Sequence, residues 1–247
     1  MKKILTTAIL CAGLVGFTAC DSFLDEDPKS SLTLDTYYKT SADIIGNVNY
    51  LYRDGAPDKM GNMTGAYRGS SLSVMNMVTG YFVNEYEGQE VDCSYARQLT
   101  RQDFTQSCCN YLTNDTWKSC YKSINVANAV IKYVDGVEMD NQAQYKAEAR
   151  FFRALNYFYL VKMFGDVPMV TEPTEDATLV EYPTRTAASE VFNTVIIPDL
   201  QFAVENLPNA TFAGNSHRVT KYAADMLLAD VYMRLGEYAN AVTPLKD

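Results

Sequence analysis

From about residue 41 the chain alternates between stretches with helical spacing of apolar residues and one long stretch without it. Ile44, Ile45, Val48 and Leu51 share a face, so a helix is predicted from Ser41 to Tyr52, with Ser41 as its N-cap. From Arg53 to Asp103 the periodicity fades and Gly recurs at 55, 61, 65, 69, 80 and 88, around a short apolar piece at 72–78. A structureless stretch of that length is long for a plain connection, and such loops often carry function. Helical spacing returns at Trp117, Tyr121, Ile124, Ala127 or Asn128, Ile131 and Val134, with Gly136 as the expected C-cap. The clearest helix is predicted from Asn141 to Phe164, stopped by Gly165 with Pro168 beyond. Tyr145, Ala149, Phe152, Asn156, Tyr159 and Met163 form one stripe there, and Phe151, Leu155, Phe158 and Leu160 line others, the pattern of a helix packed on several sides. A further helix is predicted from Thr186 to Asn206; Pro198 within it should kink or split it.

The last segment runs Leu228-Ala229-Asp230-Val231-Tyr232-Met233-Arg234-Leu235-Gly236-Glu237-Tyr238-Ala239-Asn240-Ala241. Its order of small, aromatic and Gly residues has the spacing of a tetratricopeptide helix hairpin. Ala would let two helices approach, Tyr232 would fill the gap between them, and Gly236 would permit the tight turn. Helical repeats need neighbours to bury their faces, so the sequence is expected to be incomplete at its C-terminus.

The first residues read as an address. Lys2 and Lys3 precede an apolar run from Ile4 to Phe17 that is too short to span a bilayer and fits a secretory signal. Phe17-Thr18-Ala19-Cys20 resembles a bacterial lipobox, which would make Cys20 the lipidated first residue of the mature chain; ordinary cleavage with an incidental thiol is the alternative. The acidic run Asp21 to Asp27 closed by Pro28 cannot bury enough apolar area to fold alone and reads as a tether. The expected division is a signal peptide at 1–19, a lipidated N-terminus and tether at 20–40, and a helical domain at 41–247.

Charge removes some function classes. With 21 Lys+Arg against 30 Asp+Glu the net charge is −9, and loss of the leader with its two lysines takes it to −11. Such a body has little to offer a phosphate backbone, so no nucleic-acid partner is expected, and it would be held at a membrane by acyl chains rather than by anionic headgroups. His217, the single histidine, excludes His-rich metal sites and any mechanism needing two imidazoles. Cys93, Cys108, Cys109 and Cys120 match no zinc spacing and are expected to be structural thiols or to form one disulfide whose pairing stays open. The acidic pairs, Asp25-Glu26-Asp27 and Glu172 with Glu175-Asp176, are expected to be solvated rather than catalytic, and no phosphate-cradling Gly loop or Gly-x-Ser-x-Gly elbow occurs. No cofactor, metal or catalytic residue is expected.

Eighteen Tyr and 11 Phe remain to be explained against one Trp. Ala147-Glu148-Ala149-Arg150-Phe151-Phe152-Arg153-Ala154-Leu155-Asn156-Tyr157-Phe158-Tyr159-Leu160, ending in Gly165-Asp166-Val167-Pro168, resembles the SusD/RagB family of nutrient-binding outer-membrane lipoproteins. The likeness extends in order through Cys20 with Phe23-Leu24-Asp25, Trp117, Tyr121 and Ala127-Asn128, then Asp199-Leu200, Leu207-Pro208 and Arg218 to Ala224. The resemblance implies a mainly α fold of tetratricopeptide-like helix pairs with a long loop region on the ligand face, in a protein roughly twice this length. It implies capture of oligosaccharides, or in some members peptides, for a SusC-like TonB-dependent transporter, by a protein anchored on the outer membrane and facing the cell exterior.

Aromatic faces cover the apolar side of a sugar ring, and polar groups bond its hydroxyls. The stretch from Tyr67 to Phe104 supplies both, with Tyr81 among its rings, and on chemistry and location Tyr67, Arg68, Asn84, Tyr86, Tyr95 and Arg97 are the candidate ligand contacts. Glu148, Arg150 and Arg153 are expected to form an ion network that fixes helix packing, Trp117 to pack in the core, and His217 to sit in a loop or cap. The rival functions are peptide capture by the same fold, a glycoside hydrolase lipoprotein, and a tetratricopeptide scaffold that binds only protein.

Overall fold

A computed structural model describes residues 34–52, 78–81, 98, 100–103, 107–175 and 183–246. The chain divides into two compact units, Met1–Tyr37 and Tyr38–Asp247. Of the first, the described part is the short helix α1 (Leu34–Tyr37).

The second unit is a series of helices: α2 (Ser41–Tyr50), α3 (Ser107–Tyr133), α4 (Gln142–Phe164), α5 (Ala188–Val191), α6 (Ile197–Asn206), α7 (Lys221–Arg234) and α8 (Tyr238–Val242). Among the described residues there is no strand; Val167 and Thr186 form an isolated antiparallel bridge. Packing follows chain order, with α3 on α4, α4 on α6, α6 on α7 and α7 on α8, while α2 lies against α3 and α4. The helices are those the periodicity predicts, and their arrangement is the mainly α, helix-pair architecture that the resemblance implies.

The helix ends show which local signals held. Thr40, not Ser41, caps α2: its hydroxyl accepts from the Asp43 N–H at 3.4 Å, and the Asp43 carboxylate accepts from the Thr40 N–H at 2.8 Å. This reciprocal box satisfies amides that the helix itself leaves unbonded. The first helix after the aperiodic stretch begins at Ser107, ten residues before the Trp117 stripe. Gly136 does not cap it. The helix tightens into a 3-10 turn, Val134–Gly136, and Gln142 Nε2 donates to the carbonyls of Val134 and Val137 at 2.8 and 3.0 Å. Gly165 does end α4, with φ 68° and its N–H on the Val161 carbonyl at 3.1 Å.

Pro198 has the expected effect in a specific form. Without an N–H, and with its ring set against the carbonyl four residues back, it cannot continue an α-helix smoothly. The chain opens into a π turn over Phe192–Ile196, and the Ile197 N–H reaches back to the Phe192 carbonyl. Pro198 is thereby seated in the first turn of α6, where a missing N–H goes unnoticed. The predicted start at Thr186 gives way to Ala188, because Thr186 spends its N–H and C=O on Val167. The Asp166 carboxylate accepts from the Ala188 N–H at 2.9 Å and caps α5 from across that bridge.

The core is centred on α4. Ala147, Ala149, Phe151, Phe152, Ala154, Tyr157, Phe158, Leu160 and Val161 are buried, as befits a helix covered on several sides. Ile44, Val48 and Leu51 meet it from α2, Ile124, Ala127 and Val130 from α3, Leu200 and Ala203 from α6, and Ala224, Leu228 and Val231 from α7. The α7–α8 hairpin turns at Gly236, φ 76°, with Ala229 and Ala241 buried. Tyr232 is half-buried and its hydroxyl accepts from Gln201 Nε2 at 3.3 Å, which ties α7 to α6. Tyr238, Val242 and Leu245 stay exposed on the outer side.

Candidate functional site

The charged residues of α4 are directed at other helices. Arg153, 8% exposed, sends Nε and Nη2 to the two carboxylate oxygens of Asp199 on α6 at 2.6 and 2.8 Å. Its Nη1 donates to Asn128 Oδ1 on α3 at 2.9 Å, and Asn128 Nδ2 in turn donates to the carbonyls of Val170 and Glu172. A planar guanidinium suits this role because its fork matches a carboxylate and leaves a third donor free. Arg150 lies over the Phe202 ring at 4.3 Å with Nη1 3.7 Å from Asp199. Burial pushes the Asp199 carboxyl up from its ordinary value, against the pull of the Arg153 fork.

Glu148, fully buried, does not join that network. Its carboxylate accepts from Arg218 Nε at 3.0 Å and Nη2 at 2.5 Å, from the Tyr52 hydroxyl at 2.9 Å and from Gln144 Nε2 at 3.1 Å. Arg218 also donates to Asn49 Oδ1 at 2.8 Å and stacks over the rings of Tyr52 and Tyr145. Burial works against the Arg218 charge, but the bonds to Glu148 outweigh it and hold its pKa above the ordinary value. The Tyr52 hydroxyl accepts from the Val219 N–H at 2.9 Å, and burial together with the Glu148 charge pushes this phenol upward. The clasp joins the end of α2, the middle of α4 and the entry to α7. It also fixes Tyr52, the last described residue before the aperiodic stretch.

A second polar system holds the extended segment after α4. Tyr121, Asn125, Asn128 and Lys132 lie three or four apart along α3. Tyr121 donates to the Pro168 carbonyl at 2.7 Å, Asn125 Oδ1 accepts from the Thr174 N–H at 2.7 Å, and Lys132 pairs with Glu175. Tyr157 from α4 bonds both the N–H and the C=O of Val170. A polar helical stripe thus takes the place of a neighbouring strand.

Lipidation at Cys20 and the six candidate contacts, Tyr67, Arg68, Asn84, Tyr86, Tyr95 and Arg97, lie outside the described residues. Within the same stretch Tyr81 is described: it follows a turn in which Gly80 has φ 77°, and its ring is 89% exposed. Gln102 Nε2 lies 3.5 Å from the Val78 carbonyl at the start of that turn. Trp117 is half-buried between Tyr121 at 5.0 Å and Phe164 at 5.1 Å, so it packs as expected. His217 sits in the loop before α7 with φ 62° and its ring edge-on to Phe212; Thr220 is the N-cap. Glu172 and Glu175 flank Lys132 in an exposed setting. Cys120 is a free, buried thiol, pushed up to about 12 by burial, while Cys93 and the side chains of Cys108 and Cys109 lie outside the description. Among the described residues no group of three or more His, Cys, Asp and Glu is placed to hold a metal.

Fold and charge placement together define a helix-pair scaffold whose buried ionic groups lock its helices to one another. Residues 22–233 match the SusD-like family model described as "Starch-binding associating with outer membrane", and the chain belongs to that family. A SusD-like protein P2 of Formosa agariphila is 29% identical over 244 residues, which cover 98% of this chain and 45% of that protein. A SusD-like protein of Bacteroides ovatus is 29% identical over 248 residues, 97% of this chain and 40% of the relative. Among solved structures, a laminarin-binding SusD-like protein superposes with a TM-score of 0.70 at 25% identity, over 85% of this chain and 43% of that one. The chain therefore spans less than half the length of these relatives.

Proposed function

We propose that the protein is a surface lipoprotein that captures oligosaccharides and passes them to a SusC-like TonB-dependent transporter without altering them. The observation that carries the reading is the family match across 22–233, in a family described as starch-binding and associated with the outer membrane. A relative named for laminarin binding supports a glycan over a peptide as the ligand. The nearly fully exposed Tyr81 ring, within the stretch that holds the candidate contacts, supports a ligand face there. Among the described residues no helix is long and apolar enough to cross a membrane, which suits anchorage through a lipid on Cys20.

In this reading residues 1–19 are a removed leader, 20–40 the lipidated tether, and 41–247 a share of a longer helical domain. The exposed stripe of Tyr238, Val242 and Leu245 is where further helices would pack. Tyr67, Arg68, Asn84, Tyr86, Tyr95 and Arg97 are proposed as ligand contacts beside Tyr81. Calorimetric titration with laminari-, malto- and xylogluco-oligosaccharides and with peptides tests the ligand class. Binding without product formation is expected for a glycan. Cleavage of the added sugar, or binding of peptides alone, would overturn the proposal.

A further inference from the structure

A groove of about 640 Å³ lies between the start of α2 and the turn joining α3 to α4, lined by Ser41, Ile45, Glu138, Met139, Asp140, Asn141 and Tyr145. Its size is that of a small-ligand cleft. The lining is mixed in a particular way. Tyr145, Met139 and Ile45 supply apolar surface, and four polar side chains surround it.

Those four are unspent. Among the described residues, Ser41, Glu138, Asp140 and Asn141 have no side-chain hydrogen-bond or ion-pair partner. The local reasons are visible in the backbone. Thr40 and Asp43 satisfy the cap of α2 between themselves, so Ser41 is not needed for it. Asn141 stands at the N-cap of α4 but adopts a left-handed backbone, φ 56° and ψ 30°, and makes no side-chain capping bond. An N-cap Asn normally spends its oxygen on the first turn of its helix; here both polar atoms remain available to the groove. Glu138 and Asp140 are exposed carboxylates with no Lys or Arg among the described lining residues.

We infer that this groove is a second carbohydrate subsite, built on the helical base and selective for neutral sugars. The inference rests on the glycan-binding reading above. Sugar hydroxyls are donors matched to the two free carboxylates, and such charge-assisted bonds are the strong kind. The apolar C–H face of the sugar would lie on Tyr145 and Met139, and Ser41 and Asn141 would bond further hydroxyls. Two unpaired carboxylates repel uronate and sulfate groups, so acidic glycans are excluded by the same side chains that hold neutral ones.

The test uses the full chain and a Glu138→Lys/Asp140→Lys variant, with laminarihexaose, maltohexaose and cellohexaose as neutral probes and an alginate hexamer as the acidic one. Calorimetry gives affinity, and hydrogen exchange over 138–145 gives location. A neutral probe is expected to bind, to slow exchange across 138–145, and to bind about tenfold more weakly to the variant for each hydroxyl–carboxylate bond lost. The alginate hexamer is expected not to bind the wild-type groove. Neutral binding that leaves 138–145 unprotected would overturn the subsite while leaving the glycan function standing, and this readout holds even if the variant fails to fold. Equal protection by alginate would overturn the selectivity. If no probe binds, the subsite and the glycan function fall together.

Discussion

Replacing Asp199 with alanine would leave the Arg153 guanidinium in the core with its fork empty. Arg153 and Asp199 are 8% and 2% exposed, so water cannot replace the lost carboxylate without opening the contact between α4 and α6. Removing one partner of such a pair costs about 3–5 kcal/mol, because a buried charge is left uncompensated. Arg153→Met should cost less than Asp199→Ala, because Arg150 Nη1, 3.7 Å away, still faces the Asp199 carboxylate. The double variant Arg153→Met/Asp199→Leu replaces both charges with apolar side chains and should lie within about 1–2 kcal/mol of the wild type. The remaining cost falls on Asn128, whose Oδ1 loses its donor while its Nδ2 keeps the Val170 and Glu172 carbonyls, and on Arg150, which keeps the Phe202 ring but loses the carboxylate 3.7 Å away. Urea unfolding followed by circular dichroism at 222 nm measures all three variants, and the cycle gives the coupling. A double variant destabilised by the sum of the two single losses would refute the claim that this pair is one locked unit.

Raising pH should weaken the fold from within. Burial pushes Cys120 from an ordinary 9.0, and Tyr157 from 10.0, up to about 12. Both groups are therefore neutral in the folded state where the unfolded chain already ionises. Their stabilisation is complete below the unfolded values and is lost between those values and about 12, at about 1.4 kcal/mol per pH unit per group. Urea midpoints from pH 9 to 11 read this, and Cys120→Ala should flatten the slope. Two glycines should respond with opposite sign. A Cβ at either Gly165 or Gly46 meets nothing within 4 Å, but Gly165 has φ 68° and Gly46 lies inside α2 with no positive φ. Gly165→Ala should lose about 1–3 kcal/mol through backbone strain, whereas Gly46→Ala should gain about 0.5–1 kcal/mol, both measurable by thermal unfolding. Tyr81→Ala should change stability by less than about 0.5 kcal/mol, since the ring is exposed. The same change should weaken oligosaccharide binding in calorimetry; unchanged affinity would remove Tyr81 from the ligand face.

Much of the architecture is legible along the chain because helix formation is a short-range property. The stripes of α2, α3 and α4, the stop at Gly165, the break before Pro198 and the Gly236 turn all arise from residues within a few positions of one another. The departures are local too: the Thr40–Asp43 box caps α2 one residue before Ser41, and a 3-10 turn over Val134–Gly136 ends α3 where a Gly136 cap is expected.

Choice of partner is another matter. Glu148, Arg150 and Arg153 sit within six residues and read as one ion network, yet the fold gives Glu148 to Arg218, 70 residues away, and Arg153 to Asp199, 46 away. Periodicity places each of these side chains on a face but carries no record of which distant helix that face will meet. The groove at Ser41, Glu138, Asp140 and Asn141 was equally invisible, since its polar residues come from two segments nearly a hundred positions apart and qualify only by lacking partners. The sequence alone determined the helices and the family likeness, because each is written in neighbouring residues or in their order. Tertiary structure alone decided which charges are spent on holding the helices and which remain free for a ligand, because that depends on what the folded chain brings within bonding distance.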